Sequence, residues 1–533
     1  MVLAWTIADV RYRFRVRTAP IPLQGITFSV VGIVGILTLL TDWWRAEQWL
    51  VPQGNFLTPA GWQALLGGVF LLTFLTWAWF AFIRPPVYGK RNAKRYAQVL
   101  YRAILKGSKS ELSVIADEFT FSVKSLIRYA SDRSNSKYRR IKNEGENLSQ
   151  KTPDVTAFAN DILLLIADKR FCRAIVESSP ATALAVFQEI GETKKYGIQI
   201  KVFAKNILNE AIANKDSFLF HEAEGYESGF LGYKKPLSHA MFSNYRMVET
   251  IGTLLDPDFE EMRKWDAVQW GAYSRVVIMA FRDYVEQDRG SHSFVLYRAK
   301  SHIEKSVSDL YKLNGVTNSS WDDDIHGKLR VLVKFIKDAI EILDSKGRPE
   351  YMQLRIREKS ASGTIYDHLA TMIFEAIFSA SSVNSPVSLC WWIQHNSVWG
   401  EMFNFDTLNG AAAKVVKFKV RRLIYNELVR MKEFPNFVGA KILAFCLNVM
   451  GFKVRDEDYD RDSKALHKAI LSWTKKNYVW LHSYNPRVAE ACLVDGMTYD
   501  GEHLRLVKNY PVVKQHPILS TNQRPIVSTF LSC

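Results

Sequence analysis

Two long stretches without charge near the N-terminus constrain the fold more than any other feature of the chain. Residues 18–41 contain no charged side chain, and neither do residues 48–83. Their apolar parts are residues 26–40 and 61–83, and about 20 apolar residues in a helix span the bilayer core. Because the second stretch follows after a short loop, the pattern favours a retained transmembrane hairpin over a cleaved signal peptide. The alternative for the first stretch is a buried core helix.

The cationic residues that flank these stretches predict the orientation across the membrane. The net charge is +3 before the first stretch, −1 in the connecting loop and +5 directly after the second. Cationic flanks stay inside, so we expect both termini in the cytoplasm and two spans in the cell's inner membrane. The cations are Arg11, Arg13, Arg15 and Arg17 before the first stretch and Arg84, Lys90, Arg91, Lys94 and Arg95 after the second.

The same cations are predicted to contact the membrane surface. In residues 11–17 a cation alternates with an apolar or aromatic residue, and each cation near an anionic leaflet contributes roughly 1 kcal/mol of attraction. Residues 84–142 carry a net charge of +11 and begin with helical apolar spacing, which predicts an amphipathic helix leaving the membrane. We therefore expect membrane lipids, or another polyanion, as partners of these basic segments.

The remainder of the chain favours a mainly α-helical cytoplasmic body, so the predicted fold class is a membrane-anchored, mainly α protein. Apolar spacing predicts helices at residues 197–215, 257–287, 294–313, 325–343, 364–380, 411–432, 437–450 and 463–476. The expected organisation is a basic N-terminal arm at 1–24, a transmembrane hairpin at 25–83, basic juxtamembrane helices and a hinge at 84–153, a helical body at 154–455, and a C-terminal helical unit with an extended tail at 456–533.

Composition sets limits on compartment and partners. The chain has 533 residues and a net charge of +16, which favours anionic partners. Its five cysteines lie far apart, and no pair has the CxxC spacing. This usage is typical of a reducing compartment and gives no sign of a disulfide framework or a zinc site.

The most unusual part of the predicted body is residues 218–245. It combines aromatics, three glycines, cations, two histidines and three acids, a mixture that suits a ligand pocket or a protein interface. A catalytic loop that uses His221 and Glu222 is the alternative, but the spacing places no nucleophile beside them. The candidate ligand or partner residues are His221, Glu222, Tyr226, Tyr233, Lys234, Lys235 and His239.

Other motifs favour structural roles, and we expect neither a cofactor nor a metal. Gly107-Ser108-Lys109-Ser110 has the wrong order for a phosphate-binding loop. Residues 322–324 are three aspartates followed by His326, which are ligand types for a hard cation. Because they directly precede a predicted helix, helix capping is the favoured interpretation. No constellation of catalytic residues stands out.

A basic face marks the predicted helix at residues 411–432. Lys414, Lys417 and Arg421 recur at helical spacing, apart from the apolar stripe of the same helix. Such a face can contact a membrane surface or a polyanion. The alternative is a helix that packs into the core and turns this face toward solvent.

Small residues in the apolar stretches permit close helix packing between copies of the chain. Gly25 with Ser29, and Ala64 with Gly68, are small residues four positions apart. Two spans cannot enclose a pore by themselves, but an oligomer could. Neither apolar stretch contains a charge, which argues against an ion-coupled transporter.

In layout the chain resembles the two-helix membrane effectors of bacterial anti-phage systems, such as those associated with retrons. The resemblance lies in an apolar hairpin at residues 26–83 and a large cytoplasmic region without a catalytic signature. It implies an antiviral, abortive-infection effector that perturbs the inner membrane when a regulatory partner releases it. A partner containing nucleic acid would suit the excess of positive charge, and a homo-oligomer is also expected. A membrane-tethered enzyme or ligand-binding protein and a membrane scaffold are the alternatives.

Overall fold

A computed structural model of the chain describes residues 9–49, 58–132, 154–224, 235–287, 293–317, 323–346, 363–403, 408–454, 461–509 and 528–532. These residues are mostly helical, as the apolar spacing predicts. The chain divides into two compact units, Met1–Glu261 and Met262–Cys533. The division falls within residues 257–287, where the sequence predicts one unbroken helix.

Three helices open the first unit. They are α1 (Val10–Thr18), α2 (Leu23–Ala46) and α3 (Pro59–Ala78), and the last continues as a π-helical turn, Trp79–Ile83. Helices α2 and α3 pack against each other as a hairpin. Thr58 begins α3 by accepting a hydrogen bond from the Gly61 amide at 3.1 Å, with a proline at the first helical position.

Helix α2 and the segment Pro59–Ile83 are long and apolar enough to cross a membrane, judged by length and composition alone. Most of their apolar side chains are exposed: Phe28 is 75% exposed, Leu39 71% and Leu72 67%. The few buried ones include Leu23 and Leu66. The core helix of a soluble protein would cover such a surface, so the exposure favours a lipid environment for the hairpin.

Nine further helices of the first unit lie in the described ranges before its boundary. They are α4 (Ala93–Lys106), α5 (Lys109–Tyr129), α6 (Asp154–Leu165), α7 (Lys169–Ser178), α8 (Pro180–Thr193), α9 (Lys201–Ala213), α10 (Phe218–Glu224), α11 (Pro236–Phe242) and α12 (Tyr245–Ile251). A capping box, in which Ser108 and Glu111 bond each other's amides, starts α5. The core forms where α5 contacts α7 and α8 and where α4 contacts α6.

A short helix, α13 (Phe259–Met262), crosses the boundary, and the second unit continues with helices in the described ranges. They are α14 (Ala267–Glu286), α15 (Phe294–Lys305), α16 (Asp324–Ser345), α17 (Ile365–Ala380), α18 (Val387–Trp391, continued by a π-helical stretch, Trp392–Gly400), α19 (Glu401–Phe403), α20 (Ala411–Glu433), α21 (Phe437–Met450), α22 (Arg461–Tyr484) and α23 (Pro486–Glu490). A 3-10 turn, Leu310–Leu313, follows α15. The main packing is α14 on α16 and α17 on α20.

The predicted helix at residues 257–287 is interrupted because Asp266 starts a new helix. Its carboxylate accepts a hydrogen bond from the Gln269 amide at 2.9 Å, and the Gln269 side chain accepts one from the Asp266 amide at 3.1 Å. This reciprocal capping box ends one helix and begins α14. The predicted helices at residues 437–450 and 364–380 are confirmed to within one residue at either end.

The C-terminal region contains a small sheet that the sequence analysis missed. Strands β1 (Met497–Asp500), β2 (Arg505–Asn509) and β3 (Ser528–Ser532) form an antiparallel sheet in the order β1-β2-β3. In the register, Val507 lies opposite Thr498 on one side and Phe530 on the other. The predicted tail is therefore extended at Ser528–Ser532, where it pairs with β2, and residues 510–527 lie outside the described ranges.

Candidate functional site: the junction beside the hairpin

The junction at the end of the hairpin is built around the guanidinium of Arg15. This residue sits on α1, and its own exposure is only 8%. Its Nε donates to Glu118 Oε2 at 2.6 Å, and its Nη2 donates to Glu118 Oε1 at 2.7 Å. The remaining terminal nitrogen, Nη1, donates to the Ala81 carbonyl at 3.1 Å. One side chain therefore links α1, α5 and the π-helical end of the second apolar segment.

Burial and pairing make this contact an electrostatic anchor. Glu118 is 4% exposed and Ala81 is fully buried. The hydrogen bonds to Glu118 raise the pKa of Arg15, so the guanidinium stays charged. A bidentate arginine–carboxylate pair is among the strongest hydrogen-bonded contacts, but its partner must be present, because a lone buried charge is costly. A third donor of the guanidinium, on Nη1, bonds the Ala81 carbonyl in the π-helical turn.

Backbone carbonyls at the end of α1 are held by the next helix. Asn92 Nδ2 donates to the Thr18 carbonyl at 2.8 Å, and Arg95 Nη1 donates to the Ala19 carbonyl at 2.8 Å. Asn92 is buried, and Arg95 is half-buried. These bonds satisfy carbonyls that the end of a helix leaves without partners. They also fix the start of the hairpin to α4.

Aromatic side chains fill the space around the polar contacts. The rings of Tyr12 and Phe82 have centroids 4.6 Å apart, and those of Phe14 and Tyr96 are 5.7 Å apart in an edge-to-face arrangement. Tyr88 continues the cluster at 5.7 Å from Tyr96. Burial raises the pKa of both Tyr88 and Tyr96, so the hydroxyls remain protonated. The junction thus combines a buried ion pair with an aromatic core.

The structure contradicts the membrane contact predicted for Arg15 and pairs two other arginines of the arm with acids. Arg15 is buried against Glu118 and is not exposed to lipid headgroups. Arg11 pairs with Asp117 at 3.0 Å and Arg13 pairs with Glu111 at 3.0 Å. The acids of α5, which the sequence analysis counted only against the net charge, provide these partners. Lipid contact stays a prediction for Arg11 and Arg13, whose side chains are 40% and 45% exposed, and for Arg17, which is exposed.

The cations that follow the hairpin lie on the surface of the junction. The exposed ones are Arg84, Lys90, Arg91 and Lys94. Together with Arg17 they form what we call the basic rim. Arg95 is also predicted to contact the membrane. It differs from the others because it is half-buried and donates a hydrogen bond to the Ala19 carbonyl. Contact of the basic rim with an anionic surface stays a prediction.

The predicted site at residues 218–245 is described only in part. Its ends are helical, in α10 and α11, and not loop. Tyr226, Tyr233 and Lys234 lie outside the described residues. Lys235 is half-buried with a positive φ of 40°, and exposed His239 has its Nδ1 3.2 Å from Ser243 Oγ.

Glu222 has a structural role in the same region. It is 4% exposed. Its carboxylate accepts hydrogen bonds from the Leu237 amide at 3.0 Å, the Ser238 amide at 2.6 Å and Ser238 Oγ at 2.5 Å. These donors occupy both oxygens and fasten α10 to the first turn of α11. The interpretation of Glu222 as a general base is therefore weakened, and half-buried His221 lies beside it on α10.

The basic face predicted on α20 is mostly buried. Lys417 is 6% exposed and Arg421 is 8% exposed, whereas Lys414 is exposed. The prediction of a continuous solvated cationic face is therefore wrong for two of its three residues. The physical reason is that α20 packs against α17, α21 and α22, which leaves little of its circumference to solvent.

In the described part of the aspartate run, residues 323 and 324, the structure shows helix capping. Asp323 accepts a hydrogen bond from the Ile325 amide at 3.1 Å and begins α16. Asp324 accepts one from the Ala267 amide at 2.6 Å, while His326 is fully buried with Nε2 3.1 Å from Ser397 Oγ. Among the described residues no group of three or more metal-ligand side chains comes together.

The four described cysteines are buried and are not activated nucleophiles. Burial raises the pKa of Cys172 and Cys492, and it raises the pKa of Cys390 and Cys446 to about 12. A thiol is nucleophilic as the thiolate, so these side chains are inert at neutral pH.

Comparison with known proteins adds no family to this description. The chain matches no protein-family model, no curated protein and no solved structure.

Proposed function

We propose that the chain is a membrane-anchored effector of bacterial antiviral defence, which perturbs the inner membrane when a partner releases or activates its cytoplasmic region. The observation that carries the proposal is the junction around Arg15. It ties an apolar hairpin of membrane-spanning length to the helices of a large basic unit. The anti-phage setting follows from the resemblance in layout to two-helix effectors.

The junction gives the body a mechanical connection to the second span. Arg15 bonds the Ala81 carbonyl in the π-helical turn and Glu118 on α5 with the same guanidinium. A displacement of α5 therefore moves the last turn of the span or breaks a buried ion pair. Packed and ion-paired elements of this kind change between discrete arrangements rather than deforming continuously. We infer that the body acts as the sensor and the hairpin as the output.

The faces with small residues support self-association of the hairpin. Gly25, Ser29, Ala64 and Gly68 are exposed on the hairpin. A Cβ atom added at Gly25 or Gly68 would meet nothing within 4 Å. The hairpin itself does not use these faces, so they remain for contact with helices of other copies. Two spans from each of several copies could then line a leak pathway.

The basic rim supports an anionic partner. Arg17, Arg84, Lys90, Arg91 and Lys94 are exposed next to the hairpin. Anionic lipid attracts such a cluster within a Debye length of the surface, and a regulatory partner containing nucleic acid would compete for the same charges.

Membrane depolarisation in cells that overproduce the chain tests the proposal. Gly68→Leu should block close packing between copies, whereas insertion should survive because leucine is favourable in lipid. Gly67→Leu is the matched control, because its added side chain also meets nothing within 4 Å and its position lies off the Ala64/Gly68 pair. With a potential-sensitive dye, wild type and Gly67→Leu should depolarise the cells and Gly68→Leu should not.

A second variant separates the effector from a tethered enzyme. His221→Ala removes a predicted acid–base side chain of α10. It leaves the hydrogen bonds of Glu222 to α11 in place. It should leave depolarisation unchanged. If His221→Ala abolishes the response while Gly68→Leu depolarises like wild type, the enzyme alternative is correct and the effector proposal fails.

A further inference from the structure

A cavity in the second unit lies between four helices. Its volume is about 60 Å³, and it opens to solvent. Residues of α14, α15, α16 and α17 line it. A concave site with apolar walls and a few convergent polar groups is the usual form of a small-molecule site.

The apolar wall of this cavity is mainly aromatic and aliphatic. Phe281 and Val277 come from α14, Phe335 from α16, and Leu369 and Met372 from α17. All five are among the buried core residues of the unit. They provide a dry surface for a planar or branched apolar group, which would gain roughly 25 cal/mol for each Å² of apolar area removed from water.

One basic side chain lies on the polar side of the cavity, and it is paired with an acid outside the lining. Lys300 lines the cavity and is only 8% exposed. Its Nζ lies 2.8 Å from Glu304 Oε1 and 5.5 Å from the centroid of the Tyr297 ring. Glu304 accepts from one of the three ammonium donors, which leaves donors for a ligand. Among the described residues that line the cavity there is no acidic side chain.

Two helix N-termini meet at the same cavity. Ser293 caps α15 and Thr364 caps α17, and both residues line the cavity. The first turn of a helix presents amide donors and a partial positive charge. Asp367, which reciprocates the Thr364 cap, pairs with Lys419 and does not line the cavity. His368 lies on the lining one turn into α17, 5.3 Å from Tyr297 between ring centroids.

We propose that this cavity binds a small monocarboxylate with an aromatic or branched apolar body. The carboxylate would sit between the Lys300 ammonium and the N-termini of α15 and α17, and the apolar body would enter the pocket formed by Phe281, Phe335 and Met372. The inference concerns a site in the second unit and holds independently of what the hairpin does in the membrane.

Ligand-observed fluorine NMR with 4-fluorobenzoate tests the site on the full chain in detergent, with empty micelles as the blank. Ala339 lines the cavity and is 1% exposed, so Ala339→Leu should fill it and abolish binding. Lys300→Met keeps the apolar stem and removes the charge, so the dissociation constant should rise about tenfold. Lys312→Met is the matched control, because Lys312 pairs with Asp309 at 3.0 Å on the surface and does not line the cavity.

The outcomes separate the parts of the proposal. Binding by wild type and Lys312→Met, lost in Ala339→Leu and weakened in Lys300→Met, supports it, and thermal melting of each variant verifies that the fold is retained. Absence of millimolar binding in wild type overturns it, as does unchanged binding in Ala339→Leu. If 4-fluorobenzamide binds as tightly as 4-fluorobenzoate, the assignment of the site to an anion is wrong.

Discussion

Arg15 and Glu118 form the contact on which the structural account of the junction depends. Both side chains are removed from water, and each compensates the charge of the other through two hydrogen bonds. Burying two charges costs several kcal/mol per ion, and good geometry only offsets that cost. The intact pair therefore adds little to the free energy of unfolding, whereas removal of one partner lowers that free energy strongly. This difference can be measured.

Substitution of Arg15 by glutamine should strongly destabilise the first unit. The change removes the bidentate partner of the buried Glu118 carboxylate and leaves only Arg11, whose Nε lies 3.4 Å from Glu118 Oε1, so we expect a loss of up to about 3–5 kcal/mol. Arg13→Gln is the control, because Arg13 and Glu111 pair at 3.0 Å near the surface, and such pairs contribute about 0–1 kcal/mol. Thermal melting of both variants in detergent measures the difference.

The double variant Arg15→Met with Glu118→Leu shows whether the stability loss in Arg15→Gln comes from an unpaired charge or from lost packing. It removes both charges and should recover most of the stability that Arg15→Gln loses. Equal melting temperatures for Arg15→Gln and Arg13→Gln would contradict a buried anchor at this position.

At the scale of single elements, apolar spacing predicts helices better than it predicts which cations are exposed. Helix α20 runs over Ala411–Glu433, one residue beyond the predicted end, because its apolar stripe fixes both period and length. The stripe does not reveal how many neighbours the helix has. Lys417 and Arg421 are buried since four helices, α16, α17, α21 and α22, pack against α20, and a single sequence contains no direct signal for that number.

Strand β2 is hard to recognise from the sequence. Its buried positions alternate at Leu506 and Lys508, and a lysine at the second of them masks the apolar alternation on which strand recognition depends. The Lys508 ammonium donates to the Asn448 carbonyl at 2.6 Å and to Asn448 Oδ1 at 3.1 Å. Burial lowers the pKa of Lys508 to about 8.

The lowered pKa of Lys508 predicts that stability rises with pH just above neutrality. At pH 7 the ammonium is charged in both states, and its burial costs the folded state. Between pH 8 and about 10.4, the reference value for lysine, the folded state releases the proton first, so the unfolded state binds more protons and folding is favoured. From pH 7 to 8.5 the gain is about 0.8 kcal/mol.

Comparison with Lys508→Met isolates this effect, because all other groups titrate alike in both proteins. The melting temperature of wild type should rise relative to that of Lys508→Met between pH 7 and pH 8.5, measured on the full chain in detergent. A difference that stays constant over this range would show that Lys508 does not titrate there.

For the whole molecule, the sequence predicts the hairpin well and the junction poorly. Absence of charge over residues 18–41 and 48–83 is a property of the chain itself, so the two long helices are predictable. The junction depends on Glu118 meeting Arg15 across 103 positions of sequence. One signal was present: Glu118 lies on the same buried face of α5 as Ile115 and Phe119, where an acid requires a partner.

At residues 218–245 the structure differs from the expected loop, while ligand or partner binding there stays a prediction. Its unusual composition suggested a binding loop, yet Glu222 bonds the first turn of α11 and the described ends of the segment are helical. Composition alone does not separate a ligand-binding carboxylate from one that caps backbone amides, because both need a buried acid near polar donors. The cavity beside Lys300 was missed because its lining comes from four helices distant in sequence.

The central claim is that the hairpin crosses the membrane with its connecting loop outside and the large units inside. Labelling of intact cells with a membrane-impermeant thiol reagent tests it most directly, using Asn55→Cys in the loop and Ser134→Cys after the hairpin, two positions outside the described residues. The unsubstituted chain is the control, and its four described cysteines are buried. The account predicts labelling of Asn55→Cys in intact cells and of Ser134→Cys only after the membrane is permeabilised. Labelling of Ser134→Cys in intact cells, with Asn55→Cys protected, would contradict it.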